Sequence, residues 1–221
     1  MPGAWELVKP SVLVVTLNAK DIVPIRWAYA LRELQLPAGS QAIWLSGTTY
    51  DHGRNMGCRH TLEHGFQWCF FVDDDCVVPP DGLMKLLARN LPIVSGLYYR
   101  RHNPVVPVML NKNTQSGQSG GTWITDFTPG SLVEADWVGA GCLLINRFVL
   151  EKLADPLQSR WFRWMMDDSI PVEQRMSEDF YFCEQARNIL KIRPVVDTSV
   201  VCEHIGIGAA KAPGQFAPMN A

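Results

Sequence analysis

Short apolar runs, each ending in a polar or glycine-containing turn, organise the first half of this chain. Ser11–Leu17 (SVLVVTL) and Cys69–Val72 (CFFV) are apolar with little alternation. Such runs predict strands buried on both faces. Gln41–Ser46 and Ile93–Leu97 read as further strands. Between them, Ile25, Ala28, Leu31 and Leu34 recur at helical spacing, so a helix is expected from about Pro24 to Leu34. Gly47–Asn55 (GTTYDHGRN) reads as a polar loop, followed by a helix over Met56–Gly65. Leu83, Leu86 and Leu87 mark another helix, which ends before Pro92. Alternating strand and helix is the pattern of a parallel sheet covered by helices.

The second half is less regular. Asn111–Gly121 (NKNTQSGQSGG) is a polar, Gly/Ser-rich loop between strand-like runs Val105–Leu110 and Gly121–Phe127. A β-hairpin insertion is the simplest reading. Ala135–Ile145 returns to the core, with a bend at Gly139-Ala140-Gly141. A short helix over Phe148–Leu153 is expected. A second helix opens at Ser177-Glu178-Asp179, with Phe182, Ala186 and Ile189 as its inner stripe. Ser177 can cap it, and first-turn acids suit the helix dipole. Ile192–Val196 and Ser199–Cys202 are expected as two short strands, closed by His204-Ile205-Gly206. No internal repeat and no domain boundary stand out. The expectation is one α/β domain over residues 1–221, with a lead-in over 1–10 and a flexible tail or lid over 207–221.

Composition narrows the class. Apolar residues make up 47%, enough for a globular core, and the net charge of −2 gives no overall basic field. No apolar run approaches the ~20 residues of a membrane span, and the first residues lack a secretory pattern. Six scattered cysteines without a C-x-x-C pair read as reduced, buried thiols. A cytoplasmic protein is the expectation.

The chemistry concentrates where Cys69–Val72 runs into Asp73, Asp74 and Asp75. Open α/β sheets bind ligands at the carboxyl ends of their strands. Three adjacent carboxylates repel one another unless a cation joins them, and oxygen ligands suit Mg²⁺ or Mn²⁺. In an extended chain Asp73 and Asp75 would share one site while Asp74 faces elsewhere. The plain alternative is an acidic turn or a helix cap.

Six stretches in order resemble the GT-A glycosyltransferases, in particular the family 2-like group. They are Arg54-Asn55, FFVDDDCVVPPDGL, PIVSGLYYRR, WVGAGCLLINR, SEDFYFCEQAR and EHIG. The resemblance runs from about Ser11 to Gly206. It implies a single-domain, Rossmann-like fold with a mixed, mostly parallel sheet flanked by helices. It implies that Thr16 and Asn18 line a nucleotide pocket, with Arg54 and Asn55 beside the base and diphosphate. Asp73–Asp75 resemble the D-x-D motif, with Asp73 and Asp74 toward the donor and Asp73 and Asp75 toward the metal. Gly139 and Gly141 resemble the bend beside the donor sugar. Glu178 and Asp179 resemble the acidic pair beside the acceptor, Asp179 being the general base of inverting members. His204 resembles the late histidine that completes the metal site.

The expected activity is therefore transfer of a sugar from a nucleotide-sugar donor, UDP-linked for preference, to an acceptor hydroxyl. Mn²⁺ or Mg²⁺ would serve as cofactor, and the histidine favours Mn²⁺. The acceptor is open: a saccharide, a small molecule, a protein or a modified nucleic-acid base. For the last, Arg100, Arg101, Lys112, Arg160 and Arg163 could form a local basic strip. Two other classes stay open, a non-catalytic nucleotide-sugar-binding module and a metal-dependent phosphoesterase or nucleotidyltransferase. Each residue also has a plainer role: Glu178 and Asp179 as helix starters, His204 as a structural imidazole, Arg54-Asn55 as a polar loop pair. The cluster Trp161–Met166, like Trp137, is core packing or an aromatic platform for a sugar.

Overall fold

A computed structural model describes residues 11–18, 22–113, 120–171 and 174–206. The lead-in over 1–10, the tail over 207–221 and the middle of the 111–121 loop lie outside them. Seven strands form the main sheet: β1 (Val12–Asn18), β2 (Gln41–Ser46), β3 (Trp68–Val72), β5 (Ile93–Leu97), β8 (Leu132–Glu134), β10 (Cys142–Asn146) and β11 (Val195–Val201). Their spatial order is β2-β1-β3-β10-β5-β11-β8. Strands β1, β2, β3, β5 and β11 run the same way, while β10 and β8 oppose them. The architecture is a Rossmann-like mixed α/β domain.

β1 and β3 are buried at every position, as their unbroken apolar runs require. Their side chains alternate between two cores. Leu13, Val15, Leu17 and Phe71 join one core with Phe182 of α5 (Glu178–Gln185) and Val149 and Leu153 of α4 (Arg147–Ala154). Val12, Val14, Phe70 and Val72 join the other with Leu34, just past α1 (Ile25–Glu33), and with Leu83 and Leu86 of α3 (Gly82–Ala88).

Several expected elements are corrected. The helix after the second strand, α2, spans Tyr50–Glu63 and absorbs most of the expected Gly47–Asn55 loop. Its buried face is Gly53, Arg54, Asn55, Gly57, Cys58 and Thr61, small or polar residues that leave no apolar periodicity to read. The glycines let the helix lie close on β1. A Cβ on Gly53 would stand 2.6 Å from Leu17 Cδ2, and one on Gly57 would stand 2.9 Å from Val15 Cγ1. In α1 the inward residue is Trp27, whereas Ile25 is 72% exposed. α5 continues as a π-helical turn over Ala186–Leu190. The wider turn rotates Ile189 out of the stripe, leaving Phe182, Cys183 and Ala186 buried. The bend at Gly139–Gly141 divides the expected strand in two: β9 (Trp137–Val138) joins a small sheet, and β10 joins the main one. That small sheet contains the hairpin of β6 (Met109–Lys112) and β7 (Gly121–Trp123). The two last strands fuse into β11, irregular between Asp197 and Val201.

Two short strands complete the frame. β4 (Cys76–Val77) pairs antiparallel with β12 (Glu203–His204), so His204 lies opposite Cys76. This pairing brings a histidine near the chain's end beside the acidic tip of β3. All six cysteines are buried free thiols.

Candidate functional site

Asn18, Asp73, Tyr98 and His204 all follow or end strands at one edge of the sheet, its carboxyl edge. The amino end of α5 brings Glu178 and Asp179 to the same edge. Asp73, Tyr98, His204, Glu178 and Asp179, together with Tyr50, Arg54, Arg100, Arg101 and Trp164, line a cavity of about 370 Å³.

The three aspartates do not extend side by side. Asp73 C=O accepts from Cys76 N–H at 3.0 Å, closing a turn over Asp73–Cys76. The turn sends each carboxylate to a different partner. Asp73 takes the Arg54 guanidinium, Nη2 to Oδ1 at 3.0 Å and to Oδ2 at 3.3 Å. Asp74 accepts from Asn18 Nδ2 at 2.7 Å. Asp75 meets Arg101 Nη1 at 2.7 Å through Oδ2 and His204 Nε2 at 3.4 Å through Oδ1. Asp73 and Asp75 thus face different partners, because the turn replaces the extended chain expected there. Burial raises the Asp74 pKa, with the charges of Asp75 and Asp73 adding to it. Burial acts in the same direction on Asp75, but the His204 contact and Arg101 outweigh it and hold that carboxyl below its usual range.

Arg54 is the hub of the inner wall. It is 3% exposed, and its guanidinium lies over the rings of Phe71 and Phe162 at 5.3 and 6.0 Å. Nε donates to Glu178 Oε1 at 3.3 Å. Nη1 is buried without a partner among the described residues. Burial would lower its pKa, yet Asp73, Glu178 and Asp179 raise it on balance. Glu178 is pushed up to about 7 by burial and then by Asp179, against the pull of Arg54.

Asp179 is half-buried. Its Oδ1 accepts from Ser177 Oγ and from Phe180 N–H, the latter at 2.8 Å. Ser177 therefore binds the acid and makes no side-chain cap to the helix amides. Asp179 Oδ2 has no partner among the described residues. Burial raises the Asp179 pKa over the opposing pull of Ser177 and Arg54. A carboxylate with one oxygen fixed, one open and a raised pKa is equipped to take a proton.

The described residues contain no group of three or more His, Cys, Asp or Glu side chains that could hold a metal ion. Asp75 and His204 nevertheless fit a share in one. His204 Nδ1 lies 2.7 Å from the Tyr99 carbonyl, so Nδ1 carries the hydrogen. Nε2 then faces the Asp75 carboxylate oxygen. That arrangement needs a proton or a cation between them, and a ring N–H held by a backbone carbonyl is how metal-binding histidines are oriented. Two protein ligands suffice where substrate phosphates and water supply the rest.

A second cavity, about 380 Å³, opens between α1, β1 and β2. Thr16, Asn18, Trp27 and Trp44 help line it. Thr16 Oγ1 and Trp27 Nε1 are buried without hydrogen-bond partners among the described residues. Trp44, on the edge strand, is 74% exposed. Asn18 joins the two cavities through its bond to Asp74.

Other expected site residues lie elsewhere. The Asn55 side chain bonds both the N–H and the C=O of Phe162, at 3.0 and 2.7 Å, and it anchors a loop without lining either cavity. Gly139 and Gly141 lie behind Tyr98, whose hydroxyl fills the space in front of them. Trp161 and Phe162 are core residues, while Trp164 is exposed at the cavity. Trp137 stacks on Phe180 and donates to Glu184. Lys112 pairs with Glu184. Arg187 and Arg193 form ion pairs with Asp136. Tyr50 carries no motif signal, and Tyr98 stands in the PIVSGLYYRR stretch without an assigned role; the clue to it is its place directly after a buried strand.

No known family and no curated protein matches the sequence. Among solved structures, the chain is similar to the crystal structure of A197 from STIV. The identity is 17% and the TM-score 0.65, over 96% of this chain and 95% of that one. The likeness shows a shared fold.

Proposed function

We propose that this protein is a metal-dependent glycosyltransferase that moves a sugar from a nucleotide-sugar donor to an acceptor hydroxyl. The observation that carries this reading is the convergence of Asp75 and His204 with the Glu178–Asp179 pair on one cavity, although these residues are up to 129 positions apart in the sequence. The resemblance to GT-A enzymes supports it independently of the geometry.

Asp75 and His204 would hold Mn²⁺ or Mg²⁺. When bound, the cation offsets negative charge on the departing diphosphate. Arg54 fixes Asp73 and Glu178 so that the inner wall keeps its shape. The cavity lined by Thr16, Trp27 and Trp44 would take the nucleoside: the exposed indole gives a stacking face, and two unpartnered polar atoms are available to a heterocycle. Asp179 Oδ2 would accept the proton of the attacking hydroxyl, which suits an inverting reaction. Glu178, protonated over part of the neutral range, limits charge repulsion beside it. UDP is the preferred carrier; the acceptor is a saccharide, small molecule, protein or modified nucleic-acid base.

The test is a panel of nucleotide sugars screened by thermal shift with and without Mn²⁺, followed by mass spectrometry of acceptor pools. The expected result is a melting-temperature rise that needs both ligand and cation, and a glycosylated product. No cation-dependent response to any nucleotide sugar would overturn the proposal.

A further inference from the structure

Tyr98 follows β5 directly and is only 6% exposed, yet it lines the cavity that holds Asp73–Asp75 and Asp179. Two glycines make room for it. A Cβ on Gly139 would stand 2.0 Å from Tyr98 Oη, and one on Gly141 would stand 3.1 Å from its Cζ. Oη accepts from Gly141 N–H at 3.0 Å. The hydroxyl's own hydrogen has no acceptor among the described residues. A phenol both donates and accepts, so a buried donor at the cavity wall is left for something that enters the cavity.

The surroundings indicate what that is. The Tyr98 ring meets the His204 ring edge-on, 5.4 Å between centroids and 87° between planes. The ring thus spans from the Asp75–His204 pair to the Gly139–Gly141 bend. Asp73 and Asp179 line the same cavity, and the Tyr98 hydroxyl, a phenol protonated at neutral pH, acts as a donor, not a base. Those same carboxylates repel a phosphate but accept hydrogen bonds from hydroxyl groups. Arg100 and Arg101, on the same lining, can take a charged diphosphate, whereas the uncharged donor of Tyr98 with Asp73 and Asp179 as acceptors matches a polyhydroxylated group, whose oxygens both accept and donate.

We propose that Tyr98 Oη–H donates to a hydroxyl oxygen of the donor's sugar, making Tyr98 a specificity-determining residue. This rests on the glycosyl-transfer reading.

Tyr98→Phe keeps the ring and removes only the hydroxyl. Calorimetry with Mn²⁺ would compare a nucleotide sugar with the matching nucleoside diphosphate. The expected result is binding about 3- to 10-fold weaker for the nucleotide sugar, with the nucleoside diphosphate unchanged. Equal weakening of both ligands, or weakening of neither, overturns the assignment. Gly141 N–H loses its acceptor in this variant, so a melting-temperature loss of roughly 2–10 °C accompanies either outcome and decides nothing. If the variant does not fold, nucleotide deoxysugars probe the wild-type protein instead. Loss of one sugar hydroxyl should cost about 3- to 10-fold, and a panel in which no position matters overturns the assignment. Wild-type protein that binds neither the nucleotide sugar nor the diphosphate sinks the glycosyl-transfer reading, and this inference with it. Binding of both with Tyr98→Phe indifferent removes only Tyr98's role.

Discussion

Arg54 Nε donates to Glu178 Oε1 at 3.3 Å, joining residues 124 positions apart across a buried wall. The same guanidinium binds Asp73 through Nη2. One cation therefore holds the tip of β3 against the first turn of α5, and the shape of the cavity between them depends on it.

Removing that cation should be costly. Arg54→Ala leaves Asp73 and Glu178 without their partner, Glu178 being buried, and breaking a buried pair in this way costs about 3–5 kcal/mol. Urea denaturation should show the midpoint falling with the slope unchanged. A loss below about 1 kcal/mol, the range of exposed pairs, would show that the guanidinium is not the hub described.

Glu178 also sets a pH dependence. Its pKa rises from 4.5 unfolded to about 7 folded. Between these values the folded chain holds a proton that the unfolded chain has released. Stability from this group is therefore present below about pH 4.5 and is lost as pH rises through 7. The change is on the order of 3 kcal/mol. Glu178→Gln removes it, so the stability difference between wild type and variant should drift in the variant's favour from pH 4.5 to 7 and then level off. Parallel profiles would mean that Glu178 titrates normally.

How much of this was readable in the chain follows from what each residue buries. β1 and β3 were legible because both faces are apolar, and the acidic tip because three carboxylates at a strand end are conspicuous. The start of α2 was not, because it buries Gly53, Arg54 and Asn55 in place of an apolar stripe. The different directions of Asp73 and Asp75 come from a turn closed by Cys76 N–H, and no side-chain pattern announces it. Asn55 looked like a donor contact because of its neighbour Arg54; only tertiary packing shows that its amide is bonded to Phe162. Tyr98, though part of PIVSGLYYRR, has no role legible in the sequence for a related reason. Its importance lies in two glycines some forty residues later, which make space for its ring.

The cation site gives a direct prediction. At a hundredfold excess over its dissociation constant, a bound cation stabilises by about 2.7 kcal/mol, a melting-temperature rise of about 5–11 °C. With Mn²⁺ and donor present, His204→Ala should lose most of this rise, and so should Asp75→Asn. Asp73→Asn should keep it, since Asp73 faces Arg54. A Mn²⁺ response that survives in His204→Ala but not in Asp73→Asn would move the cation to the inner wall.

Asp179→Asn tests the proton acceptor. The amide keeps the shape and can still accept from Ser177 Oγ and Phe180 N–H, but it cannot take a proton. Turnover should fall by about 10²- to 10⁴-fold, while calorimetry shows donor affinity within about twofold of wild type, a difference too small to reflect a lost binding contact. Unchanged turnover would transfer the base role to another group, with Glu178 the nearest candidate.

The nucleoside cavity separates binding from stability most cleanly. Trp44 sits on the edge strand β2, and its indole is 74% exposed. Removing so exposed a side chain should change stability by no more than about 0.5 kcal/mol. If a base stacks on it, however, Trp44→Ala should weaken binding of the nucleoside diphosphate by about 1–3 kcal/mol, or roughly 5- to 150-fold. Thr16→Val is the complementary change: it is nearly isosteric, and it removes a hydroxyl that is buried without a partner among the described residues. In the free protein that substitution should stabilise or be neutral, because an unsatisfied polar atom is lost. In the complex it should weaken binding. A residue important only for packing would move both quantities in the same direction, so opposite signs for free and bound protein identify the cavity as a binding site. Matching signs in Thr16→Val, together with unchanged affinity in Trp44→Ala, would place the nucleoside elsewhere.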